Sequence, residues 1–475
     1  MSKKNLIKSS IIILFLFSFC GCAANSGQRQ YFSAPSVIPG TSRQMKTAGF
    51  WIAKHPYPDK IILGREGIDN FNKHVQSELR LIVDVRKVGP LFSGKELFAT
   101  LKSPIASLKK RVLFEVNGDI VADSFYRAQE KQIDLEAIPE DIKVTYGFIT
   151  HYADQRVFPT EEPLFAKPGD IDFDELQNSS LDVGTPVAVL HRSIDGKWIY
   201  VVGPTSSGWV KAEEVAVCPY EELMDLMNKR EFAVIISPKA DIFLNEGLTQ
   251  YYDYAKMGSV FPLEEKPAVS GVTHVIIPQR LENGKLLSKI GYISQKDINI
   301  GNLIYTPRTI IEQAFKMLNS PYGWGGMYGE QDCSNFLQEV FATVGIILPR
   351  NSSAQAKVGV CLARFNDTSP DSRKPGVLKS KGIGGVTLLQ MKGHIMLFLG
   401  MFDDKPYAIH ASWAYREPGQ GEDKVRVMNR VVVTDLFLGE GSKKGSLLDR
   451  VVAICNLEGE NEDRASSGED FQDQK

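Results

Sequence analysis

The chain has 475 residues, which at about 100 to 200 residues per domain indicates about three or four folded units. Hydrophobic residues make up 43% and charged residues 24%, an ordinary globular mixture that excludes collagenous, disordered and multi-span membrane proteins. Lys and Arg number 55 against 57 Asp and Glu, a net charge of -2, and no basic block follows the N-terminal region. This charge balance excludes binding to bulk nucleic acid.

The first residues have the pattern of an export signal. Three lysines precede an apolar run over residues 11–19 that is too short to span a bilayer. The run is followed by Gly21-Cys22, which resembles a bacterial lipobox, where the cysteine is lipid-modified and becomes the new N-terminus. We therefore predict a lipoprotein signal peptide over 1–21 and a lipid anchor at Cys22. The protein would lie in the cell envelope, on the periplasmic face of the outer membrane in a Gram-negative host, and simple secretion is the alternative.

The next segments change in composition along the chain. Residues 22–45 are rich in Ser, Gly, Gln and Pro and are predicted to be a linker. Residues 46–146 mix helical patterns with proline-containing loops, which indicates a mostly helical N-terminal domain. Residues 305–456 alternate helix and strand patterns, and the acidic residues 457–475 are predicted to be a disordered tail. The chain is therefore a multidomain α+β protein.

Two β-rich segments lie between these parts, over residues 147–217 and 232–300. Each contains short β-branched runs separated by turn residues. In the first, the pair Asp195-Gly196 predicts a tight hairpin turn. Two small β barrels in tandem are the simplest interpretation. Tyr200, on a predicted strand of the first barrel, is interpreted as a packing residue, and the alternative is that it reaches the substrate.

Cys333 is the candidate nucleophile. It follows Asp332, and Phe336, Val340 and Phe341 come after it at helical spacing, so the cysteine begins a buried helix. Backbone N–H groups at a helix start stabilise a thiolate, which would lower the pKa of this thiol from about 8.5 toward neutrality. The alternative is a structural cysteine with Asp332 as an ordinary N-cap.

Two of the seven histidines fall in consecutive predicted strands after Cys333. They are His394 and His410. A hairpin turning near Asp403 would bring the two side chains together on one face, to within about one residue of register. This arrangement would supply a base for the cysteine and an orienting group for the base. Each histidine alone could also be an ordinary core residue.

The other cysteines of the exported chain are Cys218, Cys361 and Cys455, which are irregularly spaced and show no zinc-ligand pattern. We interpret them as inert buried thiols. One disulfide is possible in an oxidising compartment, but the sequence does not show which cysteines would pair.

Residues from about 305 to 455 resemble the NlpC-type papain-like cysteine endopeptidases, which cut bacterial cell-wall peptides. The motifs that carry the resemblance are Tyr322-Gly-Trp-Gly-Gly, Asp332-Cys333-Ser334-Asn335-Phe336, Leu348-Pro349-Arg350-Asn351-Ser352-Ser353, Gly393-His394-Ile395-Met396 and Ile409-His410. The two β-rich segments look like the paired bacterial SH3-like domains of one multidomain subgroup. Residues 46–146 are similar to the N-terminal stabilising domain of that subgroup. The resemblance implies a papain-like α+β catalytic domain at the C-terminus.

The resemblance also assigns the site. It makes Cys333 the nucleophile, His394 the general base and His410 the residue that orients His394. Tyr322 would donate to the oxyanion with the Cys333 backbone N–H.

Asp332 and Ser334 match family positions that bind the free N-terminal amine of the peptide and neighbouring polar atoms. The implied reaction is hydrolysis of the γ-D-glutamyl-L-diamino acid bond in murein stem peptides, without metal or cofactor. Two alternatives are a non-catalytic adaptor that binds wall polymer and an acyl or amide transferase.

Overall fold

A computed structural model describes residues 31–264, 271–365 and 372–459. The predicted signal peptide 1–21 and the predicted lipid site Cys22 lie outside the described residues. Among the described helices, none has the length and apolar character needed to cross a membrane.

The described helices and strands form a C-terminal unit, two β units and a set of N-terminal helices that pack on these units. The helices are α1 (Ala48–Ile52), α2 (Arg65–Ser77), α3 (Gly94–Leu108), α4 (Asp123–Ile133), α5 (Tyr220–Met227), α6 (Pro307–Lys316), α7 (Cys333–Ala342), α8 (Ser352–Gln355) and α9 (Arg373–Lys381). The strands are β1 (Tyr31–Ser33), β2 (Leu91–Ser93), β3 (Asp141–Lys143), β4 (Thr145–Ile149), β5 (Ala153–Arg156), β6 (Gln177–Leu181), β7 (Pro186–Arg192), β8 (Trp198–Val202), β9 (Ser207–Lys211), β10 (Val215–Cys218), β11 (Phe232–Ile235), β12 (Lys239–Phe243), β13 (Tyr251–Lys256), β14 (Val260–Pro262), β15 (Val272–Arg280), β16 (Leu286–Ser294), β17 (Ile298–Ile300), β18 (Val360–Arg364), β19 (Thr387–Met391), β20 (His394–Phe402), β21 (Lys405–Glu417), β22 (Lys424–Asp435) and β23 (Val451–Asn456).

The C-terminal unit consists of residues 305–457 and strand β1, which together form a seven-stranded sheet with helices packed on it. The strand order is β1-β22-β21-β20-β19-β23-β18, and the neighbouring pairs are antiparallel except for β1 with β22. Helix α7 packs against β20 and β21. Its apolar face and the sheet bury Phe336, Val340, Ile395 and Ile409 in one core. The nucleophile candidate thus begins a helix that is held against the two histidine strands.

Part of the predicted linker is built into this unit. β1 pairs in parallel with β22, and Ile38 and Met45 are buried in cores of the C-terminal unit. Residues 31–45 are therefore not a free linker, because these apolar side chains gain more from burial than the segment loses in conformational entropy.

The acidic tail was predicted to begin at residue 457, but the folded unit includes this position. Leu457 is fully buried, and its carbonyl oxygen accepts a hydrogen bond from the Tyr305 hydroxyl at 2.7 Å. Its N–H donates to the Val386 carbonyl oxygen at 3.1 Å. Leu457 is thus a core residue, and it continues the pairing of β23 with β19 by one residue.

The first β unit, residues 145–218, contains seven strands in the order β10-β4-β7-β8-β9-β5-β6. The predicted hairpin at Asp195-Gly196 is confirmed. Gly196 has φ +70, a conformation that favours glycine, and the Asp195 carboxylate accepts from the Lys197 N–H at 3.0 Å. The turn joins β7 to β8.

The second β unit, residues 232–300, consists of two small sheets around a common core. One sheet has the order β14-β11-β17 and the other the order β13-β12-β16-β15. The shared core contains side chains from both sheets, among them Ile235, Ile242, Phe261 and Ile277. The two sheets therefore fold as one unit.

The helices of residues 46–146 divide their apolar side chains between two other units. Trp51 of α1 and Phe71 of α2 are buried in the core of the C-terminal unit. Leu101 of α3 and Tyr126 of α4 are buried with Trp209 in the core of the first β unit. These helices therefore connect the first β unit to the C-terminal unit through shared cores.

Candidate active site

Cys333 is the first residue of α7, as predicted. The Asp332 carboxylate caps the helix by accepting from the Ser334 N–H at 3.1 Å and the Asn335 N–H at 2.9 Å. The cysteine is 6% exposed. The Ile395 N–H, next to His394 on β20, interacts with the thiol. The thiol thus lies at the start of β20.

Burial governs the ionisation of this thiol. It raises the pKa of Cys333 to about 12, and the neighbouring Asp332 carboxylate adds to the rise. The Ile395 and Ser334 N–H groups and the Arg350 charge act in the opposite direction but are outweighed. The prediction that the helix start lowers the pKa of Cys333 is therefore wrong. Desolvation penalises the charged thiolate more than the N–H groups stabilise it.

The two histidines lie in contact on neighbouring strands. His394 Nε2 is 2.7 Å from His410 Nδ1, and His410 Nε2 is 3.0 Å from Thr434 Oγ1 on β22. Both contacts are satisfied when His394 Nε2 donates to His410 and His410 Nε2 donates to Thr434. This tautomer leaves the Nδ1 lone pair of His394 as the one able to accept a proton.

Both imidazoles are neutral in this environment. Burial lowers the pKa of His394 to about 3, with the Arg450 charge adding to the fall. Burial also lowers the pKa of His410 well below its ordinary value. The resting site therefore combines a neutral thiol with a neutral imidazole, and the proton has to move from sulfur to nitrogen as the sulfur attacks.

Asp332 and Ser334 are already engaged within the chain. Arg350 donates to both Asp332 oxygens, at 2.7 and 3.2 Å, and to Ser334 Oγ at 2.9 Å. Ser334 Oγ in turn donates to Asp332 Oδ1 at 2.9 Å. The carboxylate predicted to bind a substrate amine is thus buried and paired with an arginine of its own chain. Arg350 lies in one of the motifs quoted above, but no role was predicted for it.

Tyr322 lies beside the same cluster. Its backbone N–H donates to the Asn429 carbonyl oxygen at 3.1 Å, which joins the loop before α7 to β22. Burial raises the pKa of its hydroxyl well above the ordinary value, and Cys333 and Asp332 add to the rise. A hydroxyl that stays protonated can donate a hydrogen bond to an oxyanion near Cys333.

The first β unit packs directly on the loop before α7. Tyr152 donates from its hydroxyl to the Gly326 carbonyl oxygen, and Gln177 donates from Nε2 to that of Gly325 at 3.2 Å. Both glycines have positive φ, and a Cβ on Gly326 would lie 2.2 Å from Ser180 Oγ. Only glycine allows this approach, so the two units are fitted to each other at the loop.

An aromatic cluster borders the site at the same junction. Phe173 of the first β unit packs edge-on against Trp324 and Trp413, with ring centroids 5.3 and 5.0 Å apart. Trp413 follows His410 on β21 and donates from Nε1 to Asp172 at 2.9 Å. Phe173 and Trp413 were not predicted from the sequence, because their proximity arises from packing between units that are distant in sequence.

Tyr200 lies away from this junction. It is 6% exposed, packs on Trp209 with ring centroids 5.6 Å apart, and donates from its hydroxyl to Ser207 Oγ at 3.0 Å. These contacts agree with the packing role predicted for it.

The chemistry available at the site is that of its side chains. Over residues 31–264, 271–365 and 372–459, no group of three His, Cys, Asp or Glu side chains is placed to hold a metal ion. A thiol, two imidazoles and a phenol come together near the start of α7. This set suits nucleophilic attack with proton transfer.

Comparisons with known proteins agree with this arrangement. Residues 319–416 match the NlpC/P60 family, and residues 163–211 match the SH3 domain of the SH3b1 type. Among curated proteins, none matches this chain.

Two solved structures are similar to the chain. One is an NlpC/P60 endopeptidase from Photobacterium damselae subsp. piscicida, with 22% identity, a TM-score of 0.73, and coverage of 91% of this chain and 100% of that one. The other, an NlpC/P60 family protein from Bacillus cereus, has 17% identity, a TM-score of 0.45, and coverage of 66% of this chain and 99% of its own. The first shows a shared fold over most of the chain. The C-terminal unit is therefore an NlpC/P60 domain, and the first β unit contains an SH3 domain of the SH3b1 type.

Proposed function

We propose that the protein is a cysteine endopeptidase that cleaves the γ-D-glutamyl-L-diamino acid bond of murein stem peptides. The observation that carries the proposal is the contact of His394 with His410 at 2.7 Å, next to the helix that Cys333 begins. An imidazole base held by a second imidazole, near a thiol at a helix start, is what peptide-bond cleavage through a thioester requires.

The reaction proceeds in two stages. Cys333 Sγ attacks the carbonyl carbon of the γ-D-glutamyl amide while its proton passes to His394 Nδ1. The Cys333 N–H and the Tyr322 hydroxyl donate to the oxyanion. The C–N bond then breaks as His394 returns the proton to the leaving amine. In the second stage water attacks the thioester, gives a proton to His394 and releases the acid, and the thiolate recovers that proton.

The position of the first β unit supports a short peptide substrate. Its Phe173 packs against Trp324 and Trp413 at the border of the site, and we expect this contact to hinder the approach of a long polymer. Preference for a free N-terminal amine on L-alanine remains a prediction. Asp332, the residue first assigned to that amine, is paired with Arg350, so the amine would have to displace the guanidinium or bind elsewhere.

The function is tested by incubating the protein with L-Ala-γ-D-Glu-diaminopimelate and following the products by mass spectrometry. We expect L-Ala-D-Glu and free diaminopimelate, a combined gain of one water. Cys333→Ala should abolish the reaction, and Cys361→Ala, a matched change at an exposed thiol, should retain it under reducing conditions. A peptide that stays intact would favour a non-catalytic adaptor. A product in which L-Ala-D-Glu is joined to an acceptor amine other than diaminopimelate would favour a transferase.

The N-acetylated peptide tests recognition of the free N-terminal amine. Equal kcat/KM for the free and the N-acetylated peptide would exclude amine recognition.

For the N-terminus we propose a lipid anchor on Cys22, supported by the short apolar run and the Gly21-Cys22 junction. In cells given a fatty-acid analogue, the label should enter the wild-type chain and be lost in Cys22→Ser. Cys20→Ser is the control and should keep the label. Label that survives Cys22→Ser would contradict attachment at Cys22, and a wild-type chain without label would indicate simple secretion.

A further inference from the structure

Two cysteines face each other across neighbouring strands of the C-terminal unit. The edge strand β18 pairs antiparallel with β23, and Cys361 lies directly opposite Cys455 in this register. Directly opposite residues point to the same face, with Cα atoms about 4.5 to 5.5 Å apart. That spacing is within the roughly 4.4 to 6.8 Å that a disulfide spans.

The two thiols have unequal environments. Cys455 is buried as expected, but Cys361 is exposed, so the interpretation of Cys361 as an inert buried thiol is wrong. Interaction with the neighbouring Cys455 thiol lowers the pKa of Cys361 to about 6, and the Arg364 charge adds to the fall. Interaction with Cys361 and burial raise the pKa of Cys455. An exposed, readily ionised thiol beside a buried one is the pattern of an attacking cysteine with its resolving partner.

We propose that Cys361 and Cys455 form a reversible cross-strand disulfide by exchange with a small-molecule disulfide or a disulfide oxidoreductase. The Cys361 thiolate attacks one sulfur of the oxidant and expels one thiolate, which leaves a mixed disulfide. Cys455 then attacks the Cys361 sulfur and expels the second thiolate. The protons of the two cysteines pass to the expelled thiolates, so two cysteines are oxidised and one disulfide is reduced to two thiols.

The other described cysteines occupy different parts of the fold. Cys218 ends β10 in the first β unit, and Cys333 begins α7. They belong to cores other than that of Cys455. Oxidation of the Cys361–Cys455 pair would therefore leave the thiol of Cys333 free.

The disulfide would fasten an edge strand of the sheet. β18 lies at the edge of the sheet, so it pairs with β23 alone, and its register shifts just after Cys361. Strand β18 comes after Arg350 and α8 in the chain. The residue that follows α8 is Ala356, and its carbonyl oxygen accepts a hydrogen bond from Cys455 Sγ at 3.4 Å. A cross-link here would close a loop of about 95 residues and stabilise the unit that carries Arg350.

Peptide mapping tests the bond directly. The chain, with Cys333→Ala to remove the nucleophile, is equilibrated in oxidised or reduced glutathione, quenched with N-ethylmaleimide and digested. We expect a linked pair of peptides that contain Cys361 and Cys455 after oxidation, lighter by about 2 Da than the two free peptides. Two alkylated thiols, a persistent glutathione adduct, or a link to Cys218 would each overturn the proposal.

Thermal unfolding gives a second readout. Oxidation should raise the Tm by roughly 5 to 10 °C, because a long loop is closed. Cys361→Ser should remove this shift, and since Cys361 is exposed, the variant keeps the test valid even if Cys455→Ser fails to fold. Cys218→Ser should keep the shift. An equal rise in Cys361→Ser would show that another group is oxidised and would contradict the proposal.

Discussion

Arg350 donates one hydrogen bond to each oxygen of Asp332, the residue that immediately precedes Cys333 in the chain. The same guanidinium donates from Nε to Ser179 Oγ on the first β unit at 2.8 Å. One side chain therefore links the cap of the nucleophile helix to the neighbouring unit. A planar guanidinium suits this role, because it can serve two oxygens and a third acceptor at once.

We expect Arg350→Ala to destabilise the protein by about 3 to 5 kcal/mol, because the buried Asp332 carboxylate would lose its charged partner. Peptide hydrolysis should fall with it as the start of α7 loosens. The measurements are thermal unfolding and kcat/KM. Arg308→Ala is the matched control: Arg308 pairs with Asp59 on the surface, so its loss should leave the Tm almost unchanged. Similar small losses in both variants would show that the Arg350 pair does not hold the helix.

Thr434 should matter for rate through His410. In Thr434→Val the Nε2 of His410 loses its partner, so the imidazole is no longer held in the tautomer that receives a hydrogen bond from His394. We expect kcat to fall about 10-fold or more with little change in KM. Thr434→Ser keeps the hydroxyl and should restore most of the rate. A valine variant as fast as wild type would remove Thr434 from the orienting chain.

The buried histidines should make stability depend on pH. An unfolded chain binds a proton at each histidine near pH 6.5, whereas burial lowers the pKa of His394 to about 3 and that of His410 well below 6.5. Below pH 6.5 the unfolded state thus binds more protons, and stability falls with pH by at most about 1.4 kcal/mol per unit for each histidine. The Tm should drop between pH 6.5 and 4.5, and less steeply in His410→Asn. If the Tm of the wild type and of His410→Asn fell equally with decreasing pH, the buried His410 would not be a source of the pH dependence.

Lys256 holds three units together at one buried point. Its ammonium, on the second β unit, lies 3.1 Å from Glu339 on α7 and 3.6 Å from Asp182 of the first β unit. We expect Lys256→Met to lower stability by about 3 to 5 kcal/mol, because the buried Glu339 carboxylate and the partly buried Asp182 carboxylate lose their cation. Thermal unfolding is the measurement.

Two further variants make the Lys256 experiment specific. Lys239→Met, on β12, removes a partly exposed pair with Glu330 and should cost at most about 1 kcal/mol. Adding Glu339→Gln to Lys256→Met should recover part of the loss, because one unpaired charge disappears. Additive losses in the double variant would argue against a direct Lys256–Glu339 interaction.

Features that depend on near neighbours in the chain were predictable. Cys333 begins α7 because an aspartate cap precedes it and apolar residues follow at helical spacing. The turn at Asp195-Gly196 and the turn near Asp403 follow from residues that tolerate positive φ. These are local preferences of the backbone, so a sequence pattern is sufficient to find them.

Contacts between distant segments were not predictable in this way. Asp332 was predicted to bind the amine of the substrate. In the fold it pairs instead with Arg350, which lies in the segment after the C-terminal end of α7. Phe173 meets Trp413 only because the first β unit packs on the C-terminal unit. Which polar or aromatic side chain is nearest depends on how the units pack, and no local pattern encodes that.

His394 and His410 show most clearly which features local sequence determines and which depend on the tertiary structure. The sequence placed them on adjacent strands of a hairpin, and a register error of one residue would have put them on opposite faces. The tight turn pairs Phe402 with Lys405, and continuing that register would place His410 opposite Leu397, facing away from His394. In the structure the register shifts between Phe398 and Gly400, so Leu399 is an extra residue and His410 lies on the face of His394. The hairpin follows from local turn residues, but the bulge depends on packing of the whole sheet, and it brings the base and its partner together.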